Sequence, residues 1–321
     1  MCLIALDYQP GSHHDSRPIL LLVANRDEFY RRTSQKASFW KPGNHASSTY
    51  GRDDDSDPLE NEDLTGIDMI YGGKDLLQGG TWLACSSNGR FGIITNFHCD
   101  QDRGKQYPRS RGEIVSTFTS VSSWTAREFA LSFLQDKLEE YAGFSVLLFD
   151  GKTLICCTNR GNTGDDGSDP ASSWFRELQP GLYGLSNHFL DSCWPRTVQA
   201  KKVLALATKS LARPYDGKLE ESVVNDLLEG FADTRILEDN SPNAPILEGD
   251  VVTLQRAVCV RLNGYGTRTT TIICYDDRTG FEFIEKNFET PYEKESYSRE
   301  VIALQSHFGR NQNTHSQCNP L

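Results

Sequence analysis

Long apolar runs are absent from this 321-residue sequence. The longest, Ile19 to Ala24, is strand-sized, well short of the ~18 residues that a membrane-spanning helix needs. No basic segment leads into an apolar stretch at the N-terminus, so no secretory leader is expected and a cytoplasmic location is the default expectation. Positive charge is scarce: 33 Lys and Arg face 44 Asp and Glu, a net charge of −11. That balance argues against a nucleic-acid partner, whose phosphates would need a basic face. Cys-x-x-Cys pairs are missing from the nine cysteines. The adjacent Cys156 and Cys157 cannot form a usual metal knuckle, and the histidines have no ligand spacing. Neither a disulfide framework, a bound metal nor a required cofactor is expected. No glycine spacing matches a phosphate or dinucleotide loop.

What is present suits a globular protein. The hydrophobic fraction is 37% and the aromatic fraction 10%, enough for one large core or two smaller ones. Seven of the eleven residues from Asp53 to Asp63 are acidic. A calcium loop there fails, because Pro58 replaces the required glycine and Leu64 stands where a bidentate Glu should be. The stretch reads as a solvated loop.

Cys2 to Tyr8 and Ile19 to Ala24 are strand-like runs separated by a turn-former cluster, Pro10 to Pro18. A hairpin centred there pairs residues whose numbers sum to about 27 by antiparallel register. Cys2 then faces Asn25 to within a couple of residues, and Asn25-Arg26-Asp27-Glu28 ends beside the N-terminus. Thr81 to Cys85 and Arg90 to Asn96 flank Asn88-Gly89, a dipeptide suited to a type I′ turn. Arg109 to Phe118 and Trp124 to Glu140 have helical spacing. Strands are predicted at Phe144 to Phe149 and Leu154 to Thr158, and helices at Pro195 to Leu211 and Glu220 to Ala232. Ala257 to Leu262, Thr267 to Tyr275 and Gly280 to Phe288 read as final strands. This order predicts an α+β fold of two packed, mainly antiparallel sheets covered by helices, in a single domain over residues 1–305 with a polar tail at 306–321.

Chemistry concentrates at the N-terminus. Removal of Met1 would leave a thiol and an α-amine on one residue, Cys2. An amine of unperturbed pKa about 7.7–8.0 can serve as base for its own thiol. Arg26 could hold a thiolate and Asp27 could orient the amine; the bland alternative is a surface ion pair. Asn96, Asn187 and Arg268 stand beside strand ends or glycines. Side-chain amides are oxyanion donors and arginine is a carboxylate clamp, although each residue also reads as a turn or cap. Gly79-Gly80-Thr81-Trp82 reads as a hairpin entrance or a close approach of backbone to a ligand.

Taken in order, Met1-Cys2-Leu3-Ile4, Ala24-Asn25-Arg26-Asp27-Glu28-Phe29-Tyr30, Gly79-Gly80-Thr81-Trp82-Leu83, Thr95-Asn96-Phe97, Arg111-Gly112-Glu113, Tyr183-Gly184-Leu185-Ser186-Asn187 and Gly264-Tyr265-Gly266-Thr267-Arg268-Thr269 resemble the Asn-Arg-Asp-Glu family, the transport and Golgi organisation 2 homologues. The acidic stretch at about 53–68 reads as an insertion. The resemblance implies an αββα sandwich like that of the N-terminal-nucleophile hydrolases. It also implies a site of Cys2, Arg26, Asp27, Asn96, Asn187 and Arg268. The implied ligand is an acyl compound or haem as cargo. The implied roles lie in lipid, acyl-coenzyme A or haem homeostasis and in Golgi organisation and secretion, with Golgi or mitochondrial association. Whether the pocket hydrolyses amides or thioesters, or only carries its ligand, stays open at this point.

Overall fold

The computed structural model describes residues 2–11, 17–43, 68–99, 102–160, 174–211, 215–239, 249–289 and 294–304. The acidic segment Asp53 to Asp63 and the tail at 306–321 lie outside the described residues. Strands β1 (Cys2–Tyr8) and β2 (Leu20–Phe29) form the expected antiparallel hairpin. Cys2 pairs with Arg26 and Leu3 with Asn25, one residue from the expected register. Along β1, Ile4, Leu6 and Tyr8 enter one apolar cluster, while Leu3 and Ala5 enter another. The hairpin is therefore covered on both faces. That is why residues 20–24 are continuously apolar rather than alternating.

One sheet has the order β10-β1-β2-β12-β13-β14, with β11 paired to β12. Its later strands are β10 (Gly181–Leu185), β11 (Arg261–Leu262), β12 (Tyr265–Asp276), β13 (Gly280–Glu289) and β14 (Lys294–Ile302). The second sheet is a seven-stranded antiparallel meander. It runs through β3 (Ser34–Trp40), β4 (Ile70–Asp75), β5 (Leu83–Ser86), β6 (Phe91–Asn96), β7 (Phe144–Phe149), β8 (Leu154–Thr158) and β9 (Phe175–Glu177). Ile4, Leu22, Phe91, Phe149 and Phe283 fill the space between the sheets. Helices α3 (Pro195–Lys209) and α4 (Glu221–Phe231) cover the outer face of the first sheet through Ala200, Leu204, Val224 and Leu227. Helix α1 (Arg111–Ser120) and a helical stretch that starts at α2 (Ala126–Glu128) cover the second through Ile114, Phe118, Phe129 and Phe133. These four layers are the αββα sandwich expected from the sequence. No helix among the described residues is long and apolar enough to cross a membrane.

Three local expectations change. The β5–β6 turn is not type I′. Only Gly89 has positive φ (82°), and its N–H closes on the Ser86 carbonyl at 3.1 Å. This is a three-residue loop ending in a left-handed glycine, with the Asn88 side chain engaged by Ser86 and Asp68. Ala257 to Leu262 is mostly not a strand: helix α5 (Asp250–Arg256) precedes it and only Arg261–Leu262 pairs. Ala257 to Val260 is buried all the same, because it packs under the helices, and the Val258 carbonyl accepts from the side chains of Asn25 and Arg196. Finally, β3, β4 and β14 carry polar residues and glycines that hid them from an apolar pattern.

Candidate functional site

Cys2 and Arg26 face each other across β1 and β2, so their side chains share the face turned to the second sheet. A cavity of about 300 Å³ opens there, lined by both residues and by Glu28, Trp82, Asn96 and Arg111 among others. The Arg26 guanidinium lies 4.0 Å from the centre of the Trp82 ring and donates to Ser34 Oγ at 3.3 Å. Arg26 is only 6% exposed, and burial pulls its pKa below the ordinary arginine value. Burial also raises the Cys2 thiol, which the positive charge of Arg26 partly offsets.

Asp27 sits one residue further along β2, so its side chain turns to the opposite, helix-covered face. There its carboxylate accepts from Arg196 Nη2 at 2.7 Å and from Thr267 Oγ1 at 2.6 Å. Both members of the Asp27–Arg196 pair have fully buried side chains. Arg196 also donates to the Leu254 carbonyl at 2.8 Å. Sequence reasoning missed it. A signal was there: Arg196 lies on the same stripe of α3 as the buried Ala200, Leu204 and Ala207, a charge on an apolar face at helical spacing.

Asn187 lies two residues past the end of β10 and joins the two sheets. Its Oδ1 accepts from the Cys2 nitrogen at 3.3 Å, and its Nδ2 donates to the Asn96 carbonyl at 2.9 Å. Ser186 Oγ donates to the Cys2 carbonyl at 3.1 Å. Asn96 is itself one of the residues that line the cavity. Gly184 allows α3 to pack closely on β10, because a Cβ there would lie 2.5 Å from Thr197 Cγ2 of that helix.

Arg268 is placed elsewhere. The β2–β12 register shifts between Thr267 and Thr269, which makes Arg268 the bulged residue. Its Nη1 donates to the carbonyls of Phe29, Tyr30 and Arg32 at 3.1–3.2 Å, fastening the β2–β3 turn. It lines a smaller cavity of about 60 Å³, and Trp82 is a wall of both. The structure thus brings Cys2, Arg26, Asn96 and Asn187 together, turns Asp27 to the other face, and sets Arg268 apart. Among the described residues no group of His, Cys, Asp or Glu could hold a metal ion.

The chain matches the family model described as Transport and Golgi organisation 2 over residues 1–290. It is 33% identical over 298 residues to the Transport and Golgi organization 2 homolog of Mus musculus, covering 89% of this chain and 93% of that protein. The Homo sapiens homolog is 33% identical over 299 residues with the same coverage. Among solved structures, a mutant conjugated bile acid hydrolase from Clostridium perfringens aligns at 9% identity and a TM-score of 0.45, over 94% of this chain and 92% of that one.

Proposed function

The chain belongs to the Transport and Golgi organisation 2 family, and from that premise we propose that Cys2, freed of Met1, is the nucleophile of a hydrolase acting on amide or thioester bonds. The observation that carries this reading is the double hold on Cys2. Its nitrogen is bound by Asn187 while its side chain shares a strand face and a cavity with Arg26. In the processed chain that nitrogen is an amine. It takes the thiol proton, the thiolate forms a bond to the acyl carbon, and the carbonyl π electrons move onto oxygen. Asn96 is the oxyanion donor of this reading, since it is a lining residue of the cavity while the Nδ2 of Asn187 is engaged. Collapse breaks the bond to the leaving nitrogen or sulfur, which takes the proton from the ammonium. Water, deprotonated by the same amine, then releases the acid from the Cys2 thioester. Arg26 offsets the thiolate charge.

The test uses three variants and an acyl substrate panel. Cys2→Ala removes the sulfur, Cys2→Ser weakens the nucleophile, and a residue added before Cys2 turns the amine into an amide. All three should lose at least the ~10²-fold associated with a missing acid–base group. Full turnover by Cys2→Ala would overturn the reading.

A carrier of haem or acyl-coenzyme A is the second reading, favoured by the burial of Cys2, which raises its thiol pKa and so disfavours the thiolate that a nucleophile needs. It expects Cys2→Ala to retain cargo in calorimetry unless the sulfur ligates it. In either reading the pocket's ligand would connect this chain to lipid or haem homeostasis and to the Golgi organisation for which its relatives are named.

A further inference from the structure

The arginines of the cavity beside Cys2 are unevenly partnered. Of its four arginines, two are matched by carboxylates: Arg32 by Asp75, and Arg109 by Glu113 and Glu140. Arg26 is held by Trp82 and Ser34. Arg111 has one hydrogen bond, from Nη1 to the Gly143 carbonyl at 3.0 Å, and no carboxylate in ion-pair contact among the described residues. On the acidic side Asp75 is engaged by Arg32, and Asp27, although its residue reaches the cavity wall, turns its carboxylate to Arg196 on the other face. Only Glu28 has a distant partner, Arg32 Nε at 3.7 Å. Asp102 and Glu28 act on Arg111 through their charge alone, so among the described residues Arg111 is the cavity guanidinium left without a direct carboxylate or ring partner.

We propose that the substrate of the Cys2 site is an acyl compound bearing one carboxylate, and that Arg111 anchors that carboxylate; this rests on the hydrolase reading above. Arg111 suits the task. It opens helix α1, where the N-cap side chain of Ser110 makes no capping bond, and residues 110–112 all line the cavity. The Gly143 bond orients its guanidinium while leaving other N–H groups for a ligand, and a guanidinium fork matches carboxylate geometry. One guanidinium without a direct counterion fits a monocarboxylate better than a phosphate dianion.

The test compares N-acetylcysteamine thioesters of glutaric and pentanoic acid, equal in chain length, with the full processed chain. The glutaryl probe should have the higher kcat/KM by about ten- to a hundredfold, the range of a charge-assisted bond. Arg111→Gln should erase that preference through KM, and Arg111→Lys should keep part of it, which separates charge from folding damage. Equal turnover of both probes, or an equal loss of both in Arg111→Gln, would overturn the proposal. If neither probe turns over, calorimetry of Cys2→Ala with glutaramate and pentanamide decides it. Glutaramate binding that Arg111→Gln abolishes upholds the carboxylate site and sinks the hydrolase reading alone. No preference for glutaramate overturns the site as well.

Discussion

The Cys2 nitrogen donates to Asn187 Oδ1 across 3.3 Å, and the Nδ2 of the same carboxamide is bound to the Asn96 carbonyl. Asn187 therefore acts on the nitrogen of Cys2 rather than on a ligand. Asn187→Asp keeps the acceptor but places a carboxylate beside the processed amine. An opposite charge favours the ammonium and raises its pKa. The base is then free only at higher pH, and the kcat/KM profile should move in the alkaline direction. An oxyanion-donor role would instead lower the rate at every pH.

The buried Asp27–Arg196 pair makes a sharper claim about stability than about chemistry. Removing one partner leaves the other charged, with no water to solvate it, at a cost of about 3–5 kcal/mol. Asp27→Asn and Arg196→Met should each show a loss of that order in denaturant unfolding. The double variant should be more stable than either single one, because no uncompensated charge remains. Additive losses would show that the pair is not coupled.

The N-terminal half of the site was legible because turn spacing and strand alternation are local. They placed Cys2 opposite Asn25, and the structure moves it to Arg26. Asn96 and Asn187 stood out as amides at strand ends, yet the bond that joins them crosses 91 residues of sequence, and no local pattern carries such a pairing. Arg268 was misplaced because a bulge shifts register by one residue and re-aims the side chain. Asp27 was judged by its neighbour Arg26, although strand alternation sends adjacent side chains to opposite faces. Arg196 lacked a motif, and its only mark was a charge within the buried stripe of α3.

Acid should loosen the loop that leads into α1. Burial alone would raise the Asp102 carboxyl, but hydrogen bonds from Tyr107, Arg160 and the Gly143 N–H outweigh it and hold the pKa at about 2. A depressed carboxyl contributes stability above its unfolded value of about 3.9, and that contribution fades as pH falls toward 2. Asp102→Asn lacks it at every pH. The gap in melting temperature between wild type and Asp102→Asn should be widest above pH 5 and narrow as the solution is acidified. A gap constant over that range would mean that the carboxylate charge is not what pins the loop.

Gly80 tests whether the start of α1 is set by backbone contact. A Cβ at residue 80 would lie 2.5 Å from the Gly112 carbonyl carbon, 2.8 Å from its oxygen and 2.9 Å from Glu113 N. These are backbone atoms of the first helical turn, which cannot rotate away as a side chain would. Thr81 N also donates to the Gly112 carbonyl at 3.2 Å, so the two segments are bonded as well as close. Gly80→Ala must therefore push the turn outward, at the ~1–3 kcal/mol usual for overpacking. It should move Arg111 with it. At Gly43 a Cβ would meet nothing within 4 Å, so Gly43→Ala should change stability by no more than about 0.5 kcal/mol. The discriminating measurement is binding of glutaramate to Gly80→Ala at a temperature where it is still folded. Weakened binding with an intact fold would tie the glycine to the cavity through the helix start. Unchanged binding would show that Arg111 keeps its place without the Gly80–Gly112 contact.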